Sequence, residues 1–361
     1  MKSKLTSKFF LFQGIMLLFF CSTIFITNTT LSTPSEFLST DSEAIIANHV
    51  IINRVRLDQI PESAITAAKD SLHIAYGHTS HGSQVITGMN GLPAFKEGQG
   101  GTEGLYDWEE GGSGGALDID DYFVDGDLGN PDRTTWAERT RTYLDDPSHS
   151  DVNVVMWSWC GQVSWASEED INTYLSLMNG LETDYPDITF VYMTGHTDGT
   201  GLEGNLHIRN NQIRDYCLAN DKVLYDFAAI ESYNPDGAYF GDKYVTDNCD
   251  YDNNGDGNPY NDGANWALEW QAANPGDWYD CSSAHSQPLN ANQKAYAAWW
   301  LWARLAGWDD PNPTTLPSVT TTPNSGTSSI SNPLSVKSAL LVASLGLVLV
   351  VLVRTSLFRK K

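Results

Sequence analysis

A doubly wound α/β fold around a parallel sheet is predicted by three features of the sequence. Short apolar runs of strand length recur, stretches of helical periodicity separate them, and polar, reactive residues follow the runs. The first run is Leu72 to Gly77; the others are "DVNVVMWSW" from Asp151, "DITFVYMTG" from Asp187 and "KVLYDFAA" from Lys222. Helical patterns cover Thr134 to Leu144, Ser167 to Asp184 and Leu206 to Asn220. "NANQKAYAAWWLWARLAG" from Asn290 closes the domain as a long amphipathic helix stopped by Gly307. Its Trp299, Trp300 and Trp302 fall to the core by helical spacing. Ser42 to Asp70 reads as a helix in two pieces split at Pro61. Gly98 to Asn130 (Gly- and Asp-rich) and Ser232 to Asp280 (acidic and aromatic) do not follow the alternation. Loops of that length are usually functional or ordered by a metal.

The 361 residues suit one large domain or two small ones, and 41% hydrophobic residues suffice for a core. A net charge of −24 speaks against a nucleic-acid partner or an anionic membrane surface, since both need clustered Lys and Arg. Residues 1–30 carry Lys2, Lys4 and Lys8 ahead of an apolar stretch, the layout of a secretory signal; Cys21 is an apolar filler within it. Residues 334–353 are apolar enough to span a bilayer, and the basic tail 354–361 fixes that end inside. The Ser/Thr/Pro-rich segment 311–333 reads as a stalk. The expectation is an ectodomain, residues 31–310, tethered at the cell surface.

Of the five cysteines, Cys160, Cys217, Cys249 and Cys281 lie in the ectodomain. An even count in an oxidising compartment allows two disulfides, with Cys249–Cys281 the first choice. Cys160 reads as structural.

In open α/β sheets, ligands bind beyond the carboxyl ends of the strands. There the sequence sets "GHTSHGS" (Gly77 to Ser83), "CGQ" (Cys160 to Gln162), "GHTD" (Gly195 to Asp198) and "DCSSAHSQ" (Asp280 to Gln287). A serine hydroxyl needs an adjacent base, normally a neutral histidine, to become a nucleophile. Ser80 and His285 approach the same sheet edge from opposite ends of the domain.

These blocks resemble those of the SGNH (GDSL-type) hydrolases over about Leu72 to Trp308. The resemblance implies a flavodoxin-like sheet and an esterase activity. It implies Ser80 as nucleophile, His285 as base, Gly161 as an oxyanion donor through its N–H, and Thr197 in the place of the family's oxyanion asparagine. His78 and His196 complete the substrate-facing set. Thr79 stands where the family has Asp. Ser282 stands where it has the acid three residues before the histidine, which makes Asp280 the substitute. The implied function is hydrolysis of carboxylic esters, including acyl groups on glycans, by a cell-surface serine hydrolase with no catalytic cofactor.

Two other classes use the same residues differently. His78, His81, His196 and His285 with Asp198 would form a divalent-metal cluster of a metal-dependent hydrolase. The 12 Trp and 16 Tyr would suit a non-catalytic carbohydrate-binding module. Separately, "DYDNNGDGNPYND" spaces Asp250, Asp252, Asn254, Asp256 and Asn258 like a calcium loop, with Asn261 where such a loop carries its bidentate Glu. That predicts a structural calcium ion.

Overall fold

Seven parallel strands form one sheet in the computed structural model, which describes residues 43–312. They are β1 (Ile45–Ala47), β2 (His73–Gly77), β3 (Trp108–Glu109), β4 (Leu117–Asp121), β5 (Val154–Trp157), β6 (Thr189–Met193) and β7 (Val223–Tyr225). Their spatial order is β1-β7-β6-β5-β2-β4-β3. The helices are α1 (Arg54–Leu57), α2 (Glu62–Ser71), α3 (Ser83–Gly98), α4 (Thr135–Leu144), α5 (Glu168–Asp184), α6 (Asn205–Ala219), α7 (Phe227–Glu231), α8 (Trp266–Ala273) and α9 (Pro288–Leu305). The signal segment, the span 334–353, the basic tail and the stalk beyond residue 312 lie outside the described residues. Among the described residues no helix is long and apolar enough to cross a membrane.

A parallel strand covered on both faces needs apolar residues at every position, because alternate side chains enter opposite layers. Val154 and Met156 join Val191, Met193, Trp299 and Trp302 in the core under α9. Trp157 turns the other way onto Trp136 of α4, and Tyr192 onto Tyr174 of α5. Helices α2 and α3 pack with α9 on the first face, and α4, α5 and α6 pack together on the second.

The predicted strands at residues 72, 151, 187 and 222 correspond to β2, β5, β6 and β7. Three further strands are present. β1 occupies part of the segment expected to be helical and pairs with β7 (Ile45 with Val223) at the sheet edge. β4, "LDIDD", lies in the Gly/Asp-rich segment, and its acids are partnered. Asp118 bonds His73 Nδ1 at 2.9 Å, Asp121 bonds His78 Nε2 at 2.7 Å, and Asp120 accepts from the Tyr143 hydroxyl. Histidines on and after β2 thus answer carboxylates on the adjacent strand. β3 adds two residues beside β4.

From β2 the chain crosses to β3 at the sheet edge, comes back to β4 beside β2, and then crosses to β5 on the other side of β2. The crevice at the carboxyl ends of β2 and β5 is therefore the topological switch point, where open α/β sheets bind ligands. The two strands are close there: a Cβ on Gly77 would lie 2.4 Å from the Trp157 ring, and one on Gly82 would lie 2.2 Å from Ser158 Oγ.

The first half of α9 is buried all round and carries polar residues. Lys294 Nζ pairs with Glu231 Oε1 of α7 at 2.7 Å, both side chains fully buried, and also donates to Gln84 Oε1 of α3. A buried charge that loses its partner is strongly destabilising. Lys294→Met should therefore lower stability by about 3–5 kcal/mol, measured as a fall in the denaturant midpoint.

Candidate active site

The turn after β2 is built to present Ser80. The buried Tyr76 hydroxyl donates to Gly82 O at 2.9 Å, and Ser83 Oγ donates to Ser80 O at 2.7 Å. Thr79 Oγ1 donates to Asp127 Oδ2 at 2.7 Å. Asp127 Oδ1 accepts from Gln162 Nε2 at 2.9 Å, and Gln162 Oε1 accepts from Cys160 N at 2.9 Å. One chain of hydrogen bonds thus fixes the loops after β2 and β5 relative to each other.

Within this frame His285 Nε2 lies 3.0 Å from Ser80 Oγ. His285 is exposed and has φ 61°, a left-handed conformation uncommon for a residue with a Cβ. Its turn is held on two sides: Gln84 of α3 donates to Ala284 O, and Gln287 Nε2 donates to Asn248 Oδ1 at 2.7 Å. Asp280 is exposed and makes no hydrogen bond to His285 among the described residues. The carboxylate near the ring is Asp247, whose oxygen lies within 4.8 Å of the ligand nitrogens of His81 and His285.

A second constellation adjoins the first. His81 Nδ1 lies 3.2 Å from Cys160 Sγ, and its Nε2 lies 3.0 Å from Asp247 Oδ2. Cys160 Sγ is 3.7 Å from Ser80 Oγ. The hydrogen bond from His81 outweighs burial and brings the Cys160 thiol down to about 7. Burial pulls the His81 imidazole down, but its bonds to Asp247 and Cys160 prevail and raise it to about 9. Both shifts run in the direction that favours thiolate and imidazolium. Cys160, read from sequence as structural, is half-buried and faces the crevice.

The rings of His196, His81 and His285 form a stack, His81 at 3.8 Å from the first and 4.5 Å from the last. His196 Nδ1 bonds Thr197 O at 2.7 Å, so its Nε2 is the acceptor nitrogen, beside Gly161. Burial, then the neighbouring His81 charge, holds His196 below its ordinary value. The amides of Ser80 and Gly161 donate to no protein acceptor among the described residues. Thr197 N and Oγ1 both donate to Glu231 Oε2, at 2.8 and 3.1 Å, which occupies its hydroxyl. His78 is engaged at both ring nitrogens, by Thr79 O and Asp121.

The metal set expected from sequence is not gathered as a whole. His81 and His285 come together, with Asp247 rather than Asp198, and there His81 and Asp247 bond each other directly. Asp198 instead closes its own turn, accepting from Thr200 N and Oγ1.

The acidic insertion has a small core of its own, from Phe240, Val245, Tyr251, Trp266 and Leu289. Its calcium-like loop is closed by its own hydrogen bonds. Asp252 accepts from Gly255 N and Gly257 N (2.7 and 2.8 Å), Asp256 from Asn258 N and Asn261 Nδ2, and Asn258 from Tyr260 N. Asn254 Nδ2 donates to Asp262, while Asp250 is held by Asn248 and Asn265. Among the described residues, Asp250, Asp252 and Asp256 are not gathered into one cluster of ligand atoms.

The expected disulfides are not formed: Cys160, Cys217, Cys249 and Cys281 are all free thiols. Cys249 Sγ faces Ser286 Oγ at 3.6 Å, and Cys281 Sγ accepts from Asn292 Nδ2 at 3.5 Å. Burial pushes Cys249 up to about 12 and Cys281 up to about 11, and raises Cys217 as well.

Sequence reasoning placed Ser80, His285 and Gly161 at this crevice but not Asp247. No motif surrounds Asp247; it lies inside a long insertion, and only the folded loop sets it beside His81. Comparison of the chain with known protein families, with curated proteins and with solved structures found no match.

Two measurements follow. The ultraviolet absorbance of the thiolate, taken as wild type minus Cys160→Ser, should rise with pH about a midpoint near 7. In His81→Gln the midpoint should move up toward the ordinary value of 9.0. Asp252→Ala removes the acceptor of two turn amides and should cost about 1–2 kcal/mol. Melting in chelator checks that loss, and melting with added calcium reports whether the loop also takes an ion.

Proposed function

We propose that the chain is a serine hydrolase that cleaves carboxylic esters, anchored outside the cell by its C-terminal span and acting on acyl groups of glycans. The observation that carries the reading is the 3.0 Å hydrogen bond between Ser80 Oγ and His285 Nε2. It is made at the topological switch point, by two residues separated by most of the domain. The order β4-β2-β5-β6-β7 follows the 2-1-3-4-5 pattern of flavodoxin-like sheets, which supports the SGNH-like reading. The left-handed backbone of His285 adds support, because such strain collects at functional sites.

His285 Nε2 takes the hydroxyl proton as Ser80 Oγ attacks the ester carbonyl. The oxyanion forms beside the unpaired amides of Ser80 and Gly161, donors of a kind worth about 10²–10³ in rate each. The imidazolium then protonates the departing alkoxide, and water repeats the sequence on the acyl-serine. Asp280 makes no bond to the ring, so the reading rests on the dyad, with Asp247 the nearby carboxylate.

A panel of short aryl acetates tests it. Ser80→Ala, His285→Ala and the double variant should each lose roughly 10³-fold or more and reach a similar residual rate, because residues acting as one unit do not add. Circular dichroism controls for the fold. Full turnover by Ser80→Ala defeats the reading, and chelator-sensitive turnover in that variant gives the site to the histidine–metal alternative. Glycan binding without any ester turnover gives it to the binding-module alternative.

A further inference from the structure

We propose that Cys160, His81 and Asp247 form a second nucleophilic centre in this crevice, which accepts acyl groups from thioesters as an S-acyl-cysteine. The inference rests on the acyl-hydrolase reading for the class of group transferred, but not on Ser80 as nucleophile.

The geometry is that of a complete triad. Cys160 lies in the loop after β5 and faces His81 Nδ1 at 3.2 Å, and His81 Nε2 is held at 3.0 Å by Asp247. Asp247 is itself fixed, its other oxygen accepting from Asn248 N at 2.9 Å. The His81 ring cannot swing away, because it is stacked between His196 and His285. Cys217, Cys249 and Cys281 have no such partner: burial raises all three, whereas the His81 bond lowers Cys160. Catalytic cysteines sit in partly exposed surroundings that favour the thiolate, and Cys160 alone of these four matches that description.

The nucleophile selects the substrate class. A thiolate is a poor match for an alkyl ester, whose alkoxide leaving group is far more basic than the attacking sulfur. A thioester expels another thiolate, so exchange is nearly balanced and a low leaving-group pKa helps it. Cys160 Sγ attacks the thioester carbonyl carbon and a new C–S bond forms. The old C–S bond then breaks, and the departing thiolate takes the proton from His81 Nδ1. The Gly161 amide, next in the chain to Cys160, is placed to meet the oxyanion. His81 is the acid–base partner and Asp247 a positioning residue.

The test uses the full-length Ser80→Ala chain, so that no acyl-serine forms, incubated with the acetyl thioester of N-acetylcysteamine. Intact-mass measurement and peptide mapping should find acetyl on Cys160, released by neutral hydroxylamine and absent from Cys160→Ser. His81→Gln in the same background should slow labelling about 10²-fold, with the pH midpoint of the labelling rate moved upward. Asp247→Asn, which keeps the shape of the side chain, should slow it less and shift the same midpoint. No label on Cys160, or equal labelling rates with and without His81, overturns the proposal. Its failure is separable from that of the serine reading. Loss of aryl acetate turnover in Ser80→Ala without thioester labelling removes only Cys160, and retained turnover with labelling removes only Ser80.

Discussion

The fully buried pair of Glu231 and Lys294 is the constraint around which the site is organised. Two charges withdrawn from water carry a desolvation cost of several kcal/mol each, offset only where every remaining donor and acceptor is met. Here the surroundings meet that condition. Glu231 accepts from Thr197 N and Oγ1, from Asn290 and from Lys294; Lys294 also donates to Gln84 and lies 4.1 Å from the centre of the Phe227 ring. Gln84 in turn donates to Ala284 O, next to His285. The pair therefore locks the loop after β6 and helices α3, α7 and α9 to the turn that carries the His285 imidazole. The network restrains the turn that brings His285 Nε2 to 3.0 Å from Ser80 Oγ.

The same helix explains how an irregular segment can be held so firmly. Asn292 of α9 both donates to and accepts from the backbone of Tyr279, and Gln293 donates to Tyr233 O. Tyr279 then reaches across to Gly88 O of α3 at 2.8 Å. The acidic insertion is thus pinned near both ends to the polar face of α9. Asp247, carried between those ends, is delivered to His81 without any regular element of its own.

Much of the parallel sheet was legible because β2, β5, β6 and β7 are covered on both faces, and continuous apolar runs follow from that. The rest obeyed different physics. β4 alternates Leu117 and Ile119 with acids that look like loop residues until His73, His78 and Tyr143 are brought against them. β1 is three residues long, and its neighbours favour helix on composition alone; pairing with β7 decides the matter. In the site, Ser80 and Gly161 were legible because strand ends fix their position. His81 was visible as a residue, but its role was not, because that role depends on Asp247 and on a ring orientation set by stacking. The partner of Thr197 was hidden for a related reason: its hydroxyl donates to Glu231, which no local pattern connects to it. The disulfide expectation failed because counting cysteines says nothing of their partners: Cys160, Cys249 and Cys281 face other polar groups and Cys217 is buried.

The position of the crevice accounts for the meeting of a serine and a cysteine there. At a switch point the chain leaves adjacent strands in opposite directions, so the loops after β2 and β5 both open into the same space with no crossover helix between them. Each loop delivers one reactive atom, and Ser80 Oγ and Cys160 Sγ end 3.7 Å apart. Only one hydroxyl proton lies between them. In the proposed chemistry, that proton donated to His285 Nε2 prepares the serine as a nucleophile, whereas donated to the sulfur it shields the thiolate and leaves the serine idle. The histidine stack sets the terms of that choice. His81 carries the positive charge because Asp247 and Cys160 both hold it there, and the same charge lowers its neighbour His196. Protonation of His81 is thus felt at Cys160 on one side and at His196 on the other.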